Sequence, residues 1–219
     1  MKILPIVAIC LPLVVQAEDV FHGYEAYYST LPARLFLGER HDLQLDSITE
    51  SNDLAYAWQG SEAGAQHSAT LRGGRIKVDG KFLKNRSVKA FPGEVVDAGD
   101  LGRGSSVFFA KGWACLEGVA PSASGTAVRH KSVYLIQLDK QHPKAWKLAS
   151  LFASCSNIRK NMDAITFDKA EYLYQEGSDT PTGIAFTEYA IQGNGFVQVG
   201  NERKASFVEA GNVYKFSLK

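Results

Sequence analysis

Two cysteines, Cys115 and Cys155, bracket the strongest apolar run of the chain outside its N-terminus, Val133-Tyr134-Leu135-Ile136-Gln137-Leu138. The same stretch, from Ser105 to Cys155, carries two of the three tryptophans, Trp113 and Trp146. It reads as a few long strands stapled by one disulfide, and the rest of the chain must pack around it. Closing a loop of 40 residues stabilises a fold by about 4 kcal/mol in the chain-entropy account. The competing reading is a reactive thiol. Neither cysteine has another two or three residues away, so a CxxC redox motif is absent.

A disulfide fits an oxidising compartment, and the N-terminus agrees. Lys2 precedes the apolar run Ile3 to Val15, and Val15 and Ala17 stand where a signal peptidase reads, just before Glu18 and Asp19. Residues 1–17 are therefore expected to be a signal peptide, cleaved after Ala17. The apolar run is shorter than the roughly 20 residues of a bilayer span. Cys10 does not make a lipoprotein site, because the bulky Ile9 precedes it. The remaining residues, 18–219, are expected to form one exported domain, periplasmic or secreted.

The full chain has 24 basic and 23 acidic residues. Removing residues 1–17 takes away Lys2 and no acid, which leaves 23 of each. That balance argues against nucleic acid as a partner, since a phosphate-tracking surface needs a basic excess. No basic amphipathic stretch points to a membrane surface.

Turn chemistry marks most of the chain as strands. Gly73-Gly74 separates Ala69–Arg72 from Arg75–Val78, and Asp79-Gly80 leads on to Lys81-Phe82-Leu83. In such two-residue hairpins Ile76 faces Leu83 and Val78 faces Lys81. Further strands are expected at Arg34–Gly38, Leu54–Trp58, Ser106–Ala110, Trp113–Leu116, Ala164–Phe167, Tyr172–Tyr174, Ile184–Thr187 and Phe196–Val199, and at the apolar C-terminal run Tyr214–Leu218. Asn194-Gly195 reads as a hairpin turn, and Gln141-His142-Pro143 as another turn. Glu18–Thr30, rich in aromatics, could be a strand or a short helix, as could Ala145–Leu148. The expected fold is mainly β: an antiparallel sandwich or irregular barrel with few short helices.

Catalytic and metal motifs are missing. The five histidines include no helical pair at i, i+4 and no HExxH. Asp46–Asp53 lacks the spacing of a calcium loop. Gly99-Asp100-Leu101-Gly102-Arg103-Gly104 reverses the dinucleotide glycine order and precedes a strand, so it reads as a surface loop. Neither a cofactor nor a metal is expected. GxSxG is absent; Ser124 and His130 could meet only if their loop folded back.

What remains is a binding surface. Pro121–Thr126 is small, uncharged and turn-forming, the next strand is expected near Ala127, and Arg129-His130-Lys131 follows. Ser122, Ser124, Thr126, Arg129, His130 and Lys131 are the candidate binding residues, with Trp58, the tryptophan expected to be exposed beside Gln59-Gly60. Trp113 and Trp146 are expected in the core. The leading expectation is an exported binding or inhibitor/immunity-type protein acting on a protein or cell-envelope partner through surface loops. The alternatives are a cell-envelope hydrolase acting on glycan, peptidoglycan or ester, and a non-catalytic structural component of the envelope.

Overall fold

The computed structural model describes residues 19–48, 53–62, 64–138, 143–162 and 164–218. The expected signal peptide lies outside the described residues, as do residues 49–52 of the polar stretch and Gln141 and His142 of an expected turn.

The chain opens with β1 (Val20–His22), the short helix α1 (Tyr24–Ser29) and β2 (His41–Asp42). A meander follows, formed by β3 (Gln44–Ile48), β4 (Leu54–Glu62), β5 (Ala65–Arg72), β6 (Arg75–Val78) and β7 (Lys81–Leu83). Then come β8 (Val88–Ala90), β9 (Ser106–Ala110), β10 (Trp113–Gly118), β11 (Ser132–Gln137) and β12 (Lys144–Lys147). The last third holds β13 (Arg159–Asn161), β14 (Ala164–Tyr174), β15 (Pro181–Gln192), β16 (Gly195–Gln198), β17 (Arg203–Phe207) and β18 (Lys215–Leu218).

These strands make three sheets: the meander β3 to β7, a central sheet in the order β2-β9-β10-β11-β12-β8, and a seven-stranded sheet in the order β1-β18-β17-β15-β14-β13 with β16 on β15. The protein is thus mainly β, as expected, and largely antiparallel; β8 with β12 is a parallel pair. The meander's hairpins have the expected register, with Ile76 opposite Leu83 and Val78 opposite Lys81. Gly73, Gly74, Asp79 and Gly80 all have positive φ, the left-handed backbone that such tight turns require.

The central sheet is covered on both faces. Val107, Phe109, Leu116, Tyr134 and Ile136 point to the meander and meet its Leu71, Ile76 and Val78. Their neighbours Phe108, Cys115, Val133, Leu135 and Trp146 point the other way and meet Ile165 and Phe167 of β14. Cys115 and Cys155 are bonded in this second layer, with both residues fully buried and Cα atoms 5.9 Å apart. A third cluster joins Tyr24, Tyr27 and Tyr28 of α1 to Phe152, Phe186 and Phe216. The Tyr24 ring stacks on Phe152 at 3.7 Å.

Several expectations are corrected. Arg34–Gly38 is not a strand: it makes one isolated bridge, Arg34 to Arg159, Phe36 is buried, and Leu37 is 72% exposed. The two strands expected at Ala164–Phe167 and Tyr172–Tyr174 are one, β14. The strand continues through its charged middle because Asp168 is buried there between Arg159 at 2.7 Å and Arg203 at 2.6 Å. The hairpin from β15 to β16 turns at Gly193-Asn194, with Gln192 opposite Gly195 and Gly193 at φ 59°. Glycine at the first turn position supplies the positive φ, so the turn sits one residue earlier than Asn194-Gly195 implied. The strand expected from Ala127 starts at Ser132, because Gly125–Arg129 winds into a 3-10 turn first.

Candidate functional site

The connection from β10 to β11 begins where β10 ends at Gly118. A Cβ at Gly118 would collide with the Ser105 hydroxyl oxygen and lie 3.1 Å from Leu101, so glycine lets the chain pass close under that segment. The loop then turns at Ala120–Ala123, where the Ala123 amide donates to the Ala120 carbonyl at 2.8 Å. Ser122, Ser124 and Thr126 are exposed.

The returning end of the loop is held by backbone bonds. The Lys131 amide donates to the Ser150 carbonyl at 3.0 Å, and the Phe152 amide donates to the Arg129 carbonyl at 2.7 Å. His130 lies between them in a bridge to Leu151, with Nδ1 3.0 Å from the Ser150 hydroxyl. Ser150 is in turn tied to the long connection before β9: its amide donates to Glu94 Oε1 at 2.8 Å.

A cleft of about 350 Å³ opens beside this junction, lined by Glu94, Asp100, Ser122, His130, Lys131, Ser132, Lys147 and Ser150, with Ala120, Ala123 and Ala127. Lys147 is 4% exposed. Its ammonium donates to the Val95 carbonyl at 2.6 Å and lies 3.3 Å from Asp100 and 4.0 Å from Glu94. A buried ammonium without such partners would cost several kcal/mol, so the two acids and the carbonyl keep the charge in place. The same Asp100 oxygen accepts from the Ser132 hydroxyl at 3.3 Å. The Tyr134 ring lies 5.9 Å from the Lys147 ammonium, and burial pushes the tyrosine hydroxyl well above its ordinary pKa.

The structure brings Ser122, His130 and Lys131 into one cleft and leaves the other candidates outside it. Ser124 and Thr126 do not line it. Arg129 donates to the Tyr172 hydroxyl at 3.0 Å and so ties the loop to β14. Lys131 lies 3.6 Å from Glu25 and 3.8 Å from the buried Glu117. Glu117 also accepts from the Cys155 amide at 2.7 Å, which links the loop to the disulfide. Trp58 sits on a different sheet, in β4, half-buried with its ring stacked on His41 at 4.0 Å. Cys115 and Cys155 form the expected bridge.

Glu94, Asp100, Ser132, Lys147 and Ser150 were missed in the sequence. One signal for Lys147 exists: it shares the face of Ala145, which is buried, so alternation directs a lysine inward where it needs acids. Nothing local in sequence points to Glu94 or Asp100 as those acids.

The cleft therefore combines two cations, an imidazole, two carboxylates and three hydroxyls. Such a set can hydrogen-bond a polar or zwitterionic group of either sign. Acyl transfer is a poorer match. The nucleophile's own amide commonly helps stabilise the oxyanion, and the Ser150 amide is already given to Glu94. Among the described residues, no group of three or more His, Cys, Asp or Glu is arranged to hold a metal ion, and no helix is long and apolar enough to cross a membrane. Comparison with known protein families, curated proteins and solved structures finds no match.

Proposed function

We propose that the chain is an exported, inhibitor/immunity-type binding protein whose β10–β11 loop presents this cleft to a charged side chain or headgroup of a protein or cell-envelope partner. The observation that carries the reading is the bracing of the loop. Backbone bonds on both sides of His130 fix it to Ser150 and Phe152, so little freedom is lost on binding. Lys147, held by its carbonyl and two acids, is poised under the opening. The disulfide supports export, because such bonds persist in oxidising compartments.

The test is chemical crosslinking of the oxidised full chain in an envelope extract, followed by identification of the captured partner. A chain with residues 121–126 replaced by Gly/Ser, and a Lys147→Met chain, serve as comparators, with circular dichroism to check folding. The partner should crosslink to the native chain and be lost from both variants. Equal recovery by folded variants rejects the cleft as the binding site.

The contact between His130 and Ser150 favours a second reading, a glycan, peptidoglycan or ester hydrolase. Turnover in a panel of those substrates, abolished in Ser150→Ala, would establish it in place of the first.

A further inference from the structure

The meander buries one face and leaves the other to solvent, and the exposed face is strongly basic. Cross-strand register places Thr70, Lys77 and Phe82 in one row and Arg72 opposite Arg75 in the next. Alternation puts them all on the face opposite Leu71, Ile76 and Leu83, which are buried. Arg72, Arg75, Lys77 and Lys84 are exposed. Phe82 is 60% exposed, with the Lys77 ammonium 5.4 Å from its ring.

Two clefts share Arg75 and Phe82 as a common wall. One, of about 480 Å³, is lined by Asp53, Thr70, Arg72, Arg75, Lys77 and Phe82, with Gly73. The other, of about 560 Å³, adds Lys84 and Asn85. Among the described residues, four cations thus face one carboxylate, Asp53. Among the described residues no carboxylate forms an ion pair with Arg72, Arg75, Lys77 or Lys84. Two like charges directly opposite across a tight hairpin repel each other, and the fold has nothing to gain from that pairing. An anion between them would relieve it.

We infer that the outer face of the meander binds an acidic oligosaccharide, with the basic side chains holding its anionic groups and Phe82 stacking on a sugar ring. Guanidinium forks match carboxylate and sulfate oxygens in bidentate geometry. An exposed aromatic wall between two concave clefts suits a ring with one polar edge and one apolar face. A single-stranded nucleic acid calls for successive aromatic platforms, and the described residues of these clefts include a single one, Phe82. A bilayer offers a flat surface, whereas these cations line hollows. The balanced net charge of the chain hides the patch because acids elsewhere offset it.

The test is calorimetric titration of the full chain with oligogalacturonate and with a heparin-derived oligosaccharide. A neutral maltooligosaccharide, a single-stranded oligonucleotide and phosphatidylglycerol vesicles are the rivals. At least one acidic sugar should bind more tightly than every rival, and more weakly as salt rises. Arg72→Gln and Arg75→Gln should each weaken it about tenfold, the effect of one charge-assisted hydrogen bond. Phe82→Ala should weaken it about fivefold, with its thermal unfolding unchanged. Binding of neither acidic sugar, tighter binding of any rival, or affinity unchanged in both arginine variants would overturn the inference. The site lies apart from the β10–β11 cleft, so these outcomes leave that proposal untouched.

Discussion

The central sheet and the meander use nearly the same hydrogen-bonding pattern and carry very different sequences. In β11 the buried run Ser132 to Ile136 is unbroken by any exposed residue. In β6 exposed and buried residues alternate strictly. The difference comes from what covers them. A sheet with neighbours on both faces makes every side chain a core side chain, and its strands lose the period of two. A sheet with one neighbour keeps that period, and its free face can take on charge at little cost to the fold. The first region has both faces in the core, and the second keeps one face free.

The comparison is most directly broken at the disulfide, which only the central layers possess. Replacing Cys115 and Cys155 together by alanine should cost about 4 kcal/mol in urea unfolding, since it frees a closed loop of 40 residues. A loss below about 1 kcal/mol would show that the staple adds little to a sheet already covered on both sides.

Alanine substitutions at adjacent positions come next in size. Leu135→Ala and Ile136→Ala point to opposite faces, and both are buried. Each should cost about 3 kcal/mol. In the meander, Ile76→Ala should cost a similar amount and Lys77→Ala less than about 0.5 kcal/mol. Equal costs at Ile76 and Lys77 would abolish the distinction between the two regions.

Much of this contrast was legible in the sequence, and the reasons are local. Gly73-Gly74 and Asp79-Gly80 fixed the meander's register because only residues tolerant of positive φ suit those turns. The apolar run Val133–Leu138 marked a strand, and the structure adds that this strand is buried on both faces. Long-range pairing was not legible. Asp168 sits inside one long strand because Arg159 and Arg203 come to it from other strands, which no local signal shows. In the candidate site, Ser122, His130 and Lys131 could be chosen because they share one loop. Lys147, Glu94 and Asp100 could not, since β12 and the connection before β9 meet only in the folded chain. The basic face was hidden for another reason. Net charge sums over the whole surface and says nothing about how it is divided.

Tyrosine ionisation gives a smaller effect and a pH dependence. Tyr27, beneath the seven-stranded sheet, is 1% exposed, and burial, aided by Asp168, pushes its pKa up to about 12 from the ordinary 10. The folded state therefore holds this proton more tightly than the unfolded chain does. The stability linked to it is fully present below pH 10 and is lost as pH rises towards 12. That amounts to roughly 2 to 3 kcal/mol. Urea unfolding at stepped pH should show Tyr27→Phe losing less stability than the native chain over that interval. Parallel curves would mean that the tyrosine is open to water and that this layer is looser than the central one.

The smallest effect has the most diagnostic sign. Arg75→Gln removes one of two like charges that face each other across a tight turn. Neither arginine is paired with a carboxylate among the described residues, so nothing attractive is lost. Stability should change by less than about 0.5 kcal/mol, and towards greater stability, because cross-strand repulsion is relieved. The gain should be seen at low salt and vanish at high salt, where the Debye length falls to about 3 Å. A variant that is no less stable but binds acidic sugar more weakly would place recognition and stability in separate regions of one molecule. If Arg75→Gln instead cost more than about 1 kcal/mol at every salt concentration, the arginine would be part of the scaffold. The meander would then resemble the central sheet in having no face to spare.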